Sequence, residues 1–318
     1  MSTNIEVQLQ GTKTEGRLNR AWALVKRDWF LYLLLVPFLA WYAIFVFKPM
    51  YGIQIAFKDY SVFKGISGSE WVGLQHFQDF LQSENFLRVL KNTLIISFYT
   101  LLFVFPAPII FALLLNEVKN SFFKKTVQTF TYMPHFISVV IVAGIVTNFL
   151  APTNGLINII IDKLGGEKIY FLAVADYFRT ILNSMSIWQS TGFSAIIYIA
   201  ALSGVNQELY EAAVIDGANK WKRTLNVTIP GILPTIMIML ILQVGHLLDV
   251  GYEAIVLLYQ PVTYATADVI STYVYREGIV NGRYDMAAAV GLFNSVIGFI
   301  LIIVANKLSK KYTESGLW

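Results

Sequence analysis

Charged residues are scarce in this sequence, and cysteine is absent. Only 14% of the 318 residues are Asp, Glu, Lys or Arg, whereas about a quarter of the residues of a soluble domain are charged. A chain this poor in charge cannot cover a water-facing surface, so most of it is expected to lie in lipid. The absence of cysteine excludes disulfide bonds, thiolate metal sites and cysteine nucleophiles.

Signatures of metal, nucleotide and nucleic-acid chemistry are also missing. The three histidines, His76, His135 and His246, are far apart in the sequence, so we expect no metal site. The sequence has no G-x-x-x-x-G-K-[ST] phosphate loop and no paired nucleophile and base in its apolar runs, so no enzyme and no cofactor is expected in this chain. The net charge of +4 is small and scattered, which argues against nucleic acid.

Six apolar runs are long enough to cross a bilayer, which takes about 20 residues. They lie at 29–47, 92–115, 127–150, 182–202, 231–259 and 287–306. The fourth is diluted by Asn, Gln, Ser and Thr, and such a span is stable only where it faces protein or water. The sequence therefore predicts an all-α integral membrane protein: a six-helix domain at 29–306, an N-terminal segment at 1–28 and a C-terminal tail at 307–318.

The loops predict an orientation. If the N-terminus is inside, the inner segments 1–28, 116–126, 203–228 and 307–318 hold 14 of the 24 Lys and Arg residues, although they are shorter in total than the outer segments. This bias places both termini in the cytoplasm. The outer segment 48–91 combines many aromatic residues with glycines, which predicts an ordered, partly interfacial cap. Pro106 and Pro108 predict a bend in the second span.

The loop at 203–230 is a polar interruption between two apolar runs. Residues 209–216 favour a short helix because Ala, Glu and Leu are good helix formers, and Gly217 is expected to end it. Asn219 is a candidate N-cap for a second helix at 220–227 that stops before Pro230. Two short helices at an angle would form a compact surface for a partner protein.

The same loop resembles the EAA loop of binding-protein-dependent ABC importer permeases. The resemblance rests on E-A-A-V-I-D-G-A at 211–218 and on the Ile-Pro pair at 229–230. In that family the loop forms coupling helices that insert into a cleft on a cytosolic ATPase subunit. The resemblance implies this role for the following residues: Glu211, Ala212, Ala213, Asp216, Gly217, Ala218 and Pro230.

Similarity covers most of the chain and is strongest to permeases for complex oligosaccharides and polysaccharide fragments, including aldouronate- and alginate-type systems. It is carried by segments 51–60, 71–74, 92–94, 112–117, 132–136, 268–276 and 316–318. It implies a type I ABC importer permease fold in the bacterial cytoplasmic (inner) membrane. The implied partners are a second homologous permease, an ATPase dimer that binds ATP and Mg, and an extracytoplasmic solute-binding protein. The chain lacks the long periplasmic insertion of the larger maltose-type subunit, so contacts that depend on that insertion are not expected.

Polar groups at membrane depth are candidates for the substrate path, because burying them in lipid is costly. They are Asn148, Trp188, Gln189, Gln243, Asp249, Glu253 and Asn294. Asp249 is expected near the outer end of the fifth span, with Glu253 four residues on and on the same helical face. Aromatic rings, amides and carboxylates suit a sugar. The amides could equally bridge helices, and the two acids could equally lie at the headgroups or contact the binding protein.

The charge of the sugar stays open at this point. Asp and Glu would repel a uronate, and the spans offer no obvious buried Arg or Lys. Two alternative functions also remain. One is an ABC permease for another solute such as a peptide, polyamine or phosphate. The other is an autonomous secondary transporter, which would usually show repeated broken helices or buried charge pairs, and the sequence shows few of these.

Overall fold

The chain is almost wholly helical in the computed structural model, which describes Trp22, residues 25–313 and Gly316. Most of the N-terminal segment and the end of the C-terminal tail therefore lie outside the described residues. The longer helices are α1 (Trp29–Phe57), α2 (Gln75–Gln82), α3 (Glu84–Asn116), α4 (Ser121–Phe136), α5 (Val139–Phe149), α6 (Leu156–Lys163), α7 (Ala175–Ser203), α8 (Gln207–Ile215), α9 (Lys220–Gly245), α10 (Tyr252–Leu258), α11 (Ile270–Tyr275) and α12 (Tyr284–Thr313).

Short elements connect these helices. Strands β1 (Lys58–Asp59) and β2 (Glu70–Trp71) form an antiparallel pair. The remaining short helical segments are Gly65–Gly68, Phe171–Ala173, Pro261–Thr263 and Tyr264–Ala267, and the wide turn Arg276–Val280 follows α11.

Five helices of the described chain are long and apolar enough to cross a membrane: α1, α3, α7, α9 and α12. A sixth span is obtained if α4 and α5 are taken together. The structure therefore supports a helical protein with five or six spans, in line with the sequence.

The third span is not the single helix that the sequence predicts at 127–150. Helices α4 and α5 meet at 102°. Pro134 lies in a tight turn, Met133–Phe136, that ends α4, and a proline disfavours continued helix around it. Ser138 then starts α5, because its hydroxyl accepts a hydrogen bond from the Ile141 N–H at 3.5 Å.

The prediction of a continuous fifth span at 231–259 is also wrong. Helix α9 begins at Lys220, ends at Gly245, and is separated from α10 by residues 246–251. Gly251 has φ +42°, a left-handed conformation that favours glycine. Helices α3 and α7 begin earlier than expected, at Glu84 and Ala175.

Three prolines in the spans follow a widened turn of helix and do not end the helix. Three π-helical turns, Ala43–Phe47, Thr100–Val104 and Thr224–Thr228, each end two residues before a proline, Pro49, Pro106 or Pro230. Proline lacks an N–H and its ring clashes with the carbonyl four residues back, and an extra residue in the turn accommodates both effects. The predicted helix stop before Pro230 is therefore wrong, and α3 is continuous through Pro106.

Residues 51–83 form an ordered cap at one end of the bundle. The β1–β2 pair holds Phe57 and Trp71 in a parallel stack with ring centroids 5.6 Å apart. The cap packs on the start of α12, where His76 Nε2 lies 3.7 Å from an Asp285 carboxylate oxygen.

Helix α7 is the central element, in contact with α3, α4, α5 and α9. It lies very close to α4, because a Cβ placed on Gly192 would lie 2.1 Å from the Thr131 carbonyl oxygen. A glycine is needed there because any side chain would overlap the neighbouring backbone.

Candidate functional site

The EAA loop (residues 203–230) has the two-helix form that the sequence predicts. The Asn206 side chain caps α8 by accepting from the Glu208 N–H at 3.0 Å. Gly217 follows α8 with φ +72°, and the Asn219 side chain accepts from the Lys222 N–H at 2.9 Å to start α9. The turn glycine and the cap are confirmed.

Most of the EAA-loop residues that the resemblance singled out are exposed. Glu211, Ala212, Asp216, Gly217 and Pro230 are exposed, and Ala213 and Ala218 are partly buried. Large apolar side chains accompany them, because Ile215 is 85% and Trp221 69% exposed. An exposed surface that mixes apolar and acidic groups is typical of a protein-docking site.

Side chains tie the EAA loop firmly to the bundle. The Tyr210 hydroxyl donates to Thr228 Oγ1 at 3.0 Å, and Lys220 Nζ lies 3.1 Å from Glu117 Oε2 just beyond the end of α3. Tyr210 also packs against the buried cluster of Tyr198, Leu202 and Ile232. A displacement of the loop would therefore pass to α3, α7 and α9 together.

Gln189 lies at the break between α4 and α5. Its amide Nε2 donates to the Ile137 carbonyl oxygen at 3.0 Å. Because the helix breaks here, this carbonyl oxygen has no N–H partner within a helix, and Gln189 supplies the donor instead. Gln189 and Glu253 line one cavity of about 680 Å³ together with His135 and Tyr252. We call this space the Gln189 cavity.

Asp249 lies in the break between α9 and α10, and this corrects the expected helical face. Because the helix is interrupted before Gly251 and starts again at Tyr252, Asp249 and Glu253 are not on one helix. Asp249 instead accepts a hydrogen bond from Asn294 Nδ2 at 3.0 Å. The pair lines a second cavity of about 490 Å³, the Asp249 cavity, and Tyr252 lines both cavities.

The three remaining candidates are dispersed. Trp188 lines an apolar cavity of about 380 Å³ between α5, α6 and α7, together with Phe149 and Ile181. Asn148 is exposed near the end of α5, and Gln243 is partly buried in the last turn of α9.

An ion cluster around the buried residue Asp268 was not predicted from the sequence. This residue is 0% exposed. Both of its carboxylate oxygens accept from the Arg276 guanidinium at 2.9 Å, and Oδ2 also accepts from Arg88 at 2.9 Å. Burial lowers the pKa of Arg276, but the hydrogen bonds and charge of Asp268 outweigh that effect and hold the pKa above its ordinary value.

Further hydrogen bonds extend the cluster across three elements. Asn92 donates to the Asp268 carbonyl oxygen at 3.0 Å and accepts from Arg179 at 2.9 Å. The cluster therefore links α3, α7 and the segment before α11, and it contains three guanidinium groups to one carboxylate. Arg88 and Arg179 are partly buried, and they lie on helical turns that the predicted spans left out, so the search for a buried arginine within those spans did not reach them.

Part of this cluster could have been predicted from the spacing of residues in the local sequence. Asp268, Thr272 and Arg276 are spaced four residues apart, which puts them on one helical face, and Thr272 Oγ1 donates to Asp268 at 2.9 Å. Arg88 is 180 residues from Asp268, so nothing in the local sequence could have paired them.

Comparison with known proteins agrees with this architecture. Residues 104–314 match the family described as "Binding-protein-dependent transport system inner membrane component". The chain is 47% identical over 296 residues to Protein LplB of Bacillus subtilis (strain 168), covering 93% of each. It is 43% identical over 289 residues to the polygalacturonan/rhamnogalacturonan transport system permease protein YteP of the same organism, covering 91% of this chain and 90% of that one.

A solved structure has the same fold. The crystal structure of a bacterial alginate ABC transporter in complex with alginate pentasaccharide-bound periplasmic protein contains a chain 47% identical to this one. The TM-score is 0.87, over 94% of this chain and 100% of that chain. The chain belongs to the family of binding-protein-dependent inner-membrane transport components, so it is a multi-pass transport permease and not an enzyme.

Proposed function

We propose that this chain is the membrane-spanning subunit of an ATP-driven importer of oligosaccharides or polysaccharide fragments. The observation that carries the proposal is the EAA loop: its helices are exposed, yet they are tied to three spans through Tyr210 and Lys220. Such a loop can receive force from an ATPase and pass it into the bundle. The relatives, which include a permease for polygalacturonan/rhamnogalacturonan, support the saccharide class.

The proposed mechanism is alternating access. Closure of an ATPase dimer on ATP moves the EAA loop, which tilts α7 and α9 so that the substrate path opens to the outside. A solute-binding protein then releases saccharide into this path, and hydrolysis returns the helices to the inward-facing arrangement. This chain supplies the path and the lever, while ATP and Mg are held by the ATPase.

The assembly implied is a heterodimer with a second homologous permease, an ATPase dimer and an extracytoplasmic solute-binding protein, in a bacterial cytoplasmic membrane. Both termini and the EAA loop face the cytoplasm in this arrangement. The solved alginate transporter contains a periplasmic protein bound to its substrate, which supports the last of these partners.

An acidic saccharide suits the opposite end of the bundle. The cluster of Arg88, Arg179 and Arg276 carries more positive charge than Asp268 neutralises, so the outer mouth attracts anions. This supplies the basic groups that a uronate requires. The substrate path would then use the amides and aromatic rings of the Gln189 and Asp249 cavities, with Asn148, Trp188 and Gln243 as further contacts.

The coupling role is tested by Glu211→Arg in the complete transporter reconstituted in vesicles. Reversal of this exposed charge should abolish saccharide-stimulated ATP hydrolysis and uptake, because the contact with the ATPase is lost. Glu167→Arg is the matched control, since Glu167 is also exposed but lies at the other end of the bundle. If Glu211→Arg transports as well as Glu167→Arg, the coupling assignment is wrong.

The substrate class is tested by binding and uptake. Galacturonate oligomers, neutral arabinose oligomers, a peptide and a polyamine would be offered to the solute-binding partner and then to the vesicles. Uptake of saccharide that requires ATP inside the vesicles supports the proposal. Uptake of the peptide or polyamine alone would identify an importer for another solute, and ATP-independent uptake would identify a secondary transporter.

A further inference from the structure

The Asp249 cavity contains two buried polar atoms that have no partner. Asn294 Oδ1 and Ser271 Oγ are both shielded from solvent, and neither has a hydrogen-bond partner among the described residues. Buried polar atoms are almost always hydrogen-bonded in folded proteins. Two such atoms in the wall of one cavity therefore indicate that something else supplies their partners.

The hydrogen bond with Asp249 determines what Asn294 offers to the cavity. An ionised carboxylate can only accept hydrogen bonds, so Asn294 must turn its amide nitrogen toward Asp249. Its carbonyl oxygen is then left as an acceptor that needs an O–H or N–H donor. Ser271 differs because its hydroxyl can both donate and accept.

Aromatic rings form another part of the wall. Tyr252 and Tyr275 have ring centroids 5.6 Å apart and planes inclined by 58°, and Tyr284 also faces the cavity. Apolar ring faces beside a few convergent polar groups are the usual composition of a small-molecule site. The volume of about 490 Å³ lies within the usual range for such sites.

We infer that the Asp249 cavity is a subsite for one sugar unit of the transported saccharide, separate from the Gln189 cavity. After a small rotation of the two side chains toward the cavity, a sugar hydroxyl would donate to Asn294 Oδ1, and a neighbouring hydroxyl would exchange a hydrogen bond with Ser271 Oγ. The apolar C–H face of the ring would pack on Tyr252 or Tyr275. This inference rests on the proposed function.

The position of Tyr252 connects this subsite to the Gln189 cavity. Because Tyr252 lines both cavities, a chain of sugars can have one unit on each side of its ring. A disaccharide could be held by the Gln189 cavity alone, whereas a longer oligosaccharide would also occupy the Asp249 cavity. The subsite would therefore contribute to preference for chain length.

The test uses the complete transporter in vesicles, with di- and tetragalacturonate as acidic probes and di- and tetrasaccharides of arabinose as neutral ones. Ser271→Ala and Asn294→Leu should each weaken uptake of the tetrasaccharide about three- to tenfold relative to the disaccharide. A merely structural role would lower uptake of both lengths equally.

Ser295→Ala is the matched control. Ser295 lines the same cavity, but its hydroxyl already donates to the Gly291 carbonyl oxygen at 2.9 Å, so its removal should leave the length preference unchanged. If Ser271→Ala and Ser295→Ala behave alike, the subsite does not exist. Failure of the unaltered transporter to import any saccharide would instead overturn the proposed function.

A second measurement distinguishes saccharide from lipid as the occupant. The chain has no cysteine, so Ser271→Cys introduces a single thiol whose reaction with a maleimide can be followed. Tetragalacturonate or the arabinose tetrasaccharide should slow that reaction at least about threefold, with Ser203→Cys at the other end unaffected. A reaction rate that responds to acyl-chain length of the vesicle lipid and not to either saccharide would show that lipid fills the cavity.

Discussion

Asp268 shows how much a single residue can hold together in this protein. A fully buried carboxylate is stable only when paired, and here two guanidinium groups and a threonine hydroxyl surround it. Loss of its charge would leave Arg88 and Arg276 without their anion. The loss would destabilise the junction of α3, α7 and the segment before α11, because these elements meet at the cluster.

Asp268→Asn should lower the stability of the assembled transporter by about 3–5 kcal/mol. Thermal unfolding in lipid nanodiscs would report this as a lower Tm. Asp162→Asn is the control, since Asp162 forms an exposed pair with Lys168 at 3.6 Å and such pairs contribute about 0–1 kcal/mol. Equal Tm values for the two variants would refute the structural role of the cluster.

Two glycines in the helices have different surroundings: Gly192 is closely packed against another backbone, whereas Gly144 has open space beside it. A Cβ on Gly192 would lie 2.1 Å from a backbone oxygen, whereas a Cβ on Gly144 in α5 would meet nothing within 4 Å. Gly192→Ala should therefore destabilise the protein by about 1–3 kcal/mol through overpacking. Gly144→Ala should stabilise it by about 0.5–1 kcal/mol through helix propensity. Chemical denaturation of both variants in the same detergent measures this difference, and a loss of stability in both would contradict it.

Broken helices are the feature that defines the elements around the candidate path. Each break is matched by a polar side chain from another helix. Gln189 of α7 donates to the Ile137 carbonyl oxygen, and Ser97 of α3 donates to the Leu247 carbonyl oxygen. Inside a membrane such carbonyls must find partners within the protein. This accounts for polar residues in the spans that the sequence could assign equally to substrate or to helix bridging.

Gln189→Leu should destabilise the break between α4 and α5 by about 1–3 kcal/mol, because the Ile137 carbonyl oxygen loses its donor. Hydrogen exchange across residues 133–142 should become faster. Ser190→Ala is the neighbouring control: its hydroxyl bonds to Ser186 within α7, so the change should cost about 0.5 kcal/mol or less. Unchanged exchange in Gln189→Leu would mean that the amide serves another purpose.

The whole molecule has two ends with different chemistry. The end at the EAA loop exposes apolar and acidic side chains, whereas the other end carries the aromatic cap and the Asp268 cluster. Such asymmetry suits a protein that meets an ATPase on one side of the membrane and a sugar carrier on the other.

The proposed orientation can be measured directly because the chain has no cysteine. Phe63 is fully exposed on the cap, and Lys119 is exposed in the loop after α3. In spheroplasts, a membrane-impermeant maleimide should label Phe63→Cys at once and Lys119→Cys only after permeabilisation. The reverse order would invert the topology.

The sequence alone determined the features that depend on local chemistry. Its low charge and its apolar runs predicted a helical membrane protein, and Gly217 and Asn219 predicted the turn and cap of the EAA loop, because φ preference and capping act over a few residues. Span ends were less certain. Arg88 and Arg179 lie on helical turns that hydropathy excluded, since their partners, not lipid, stabilise them.

Tertiary structure decided everything that depends on residues far apart in the chain. A helix can break at 137–138 or 246–251 only where another element satisfies the freed carbonyls, and no local pattern shows that Gln189 or Ser97 will be there. The same reason moved Asp249 from a helical face shared with Glu253 to a cavity shared with Asn294. Packing chose these partners, because a buried polar group is stable only beside a complementary one.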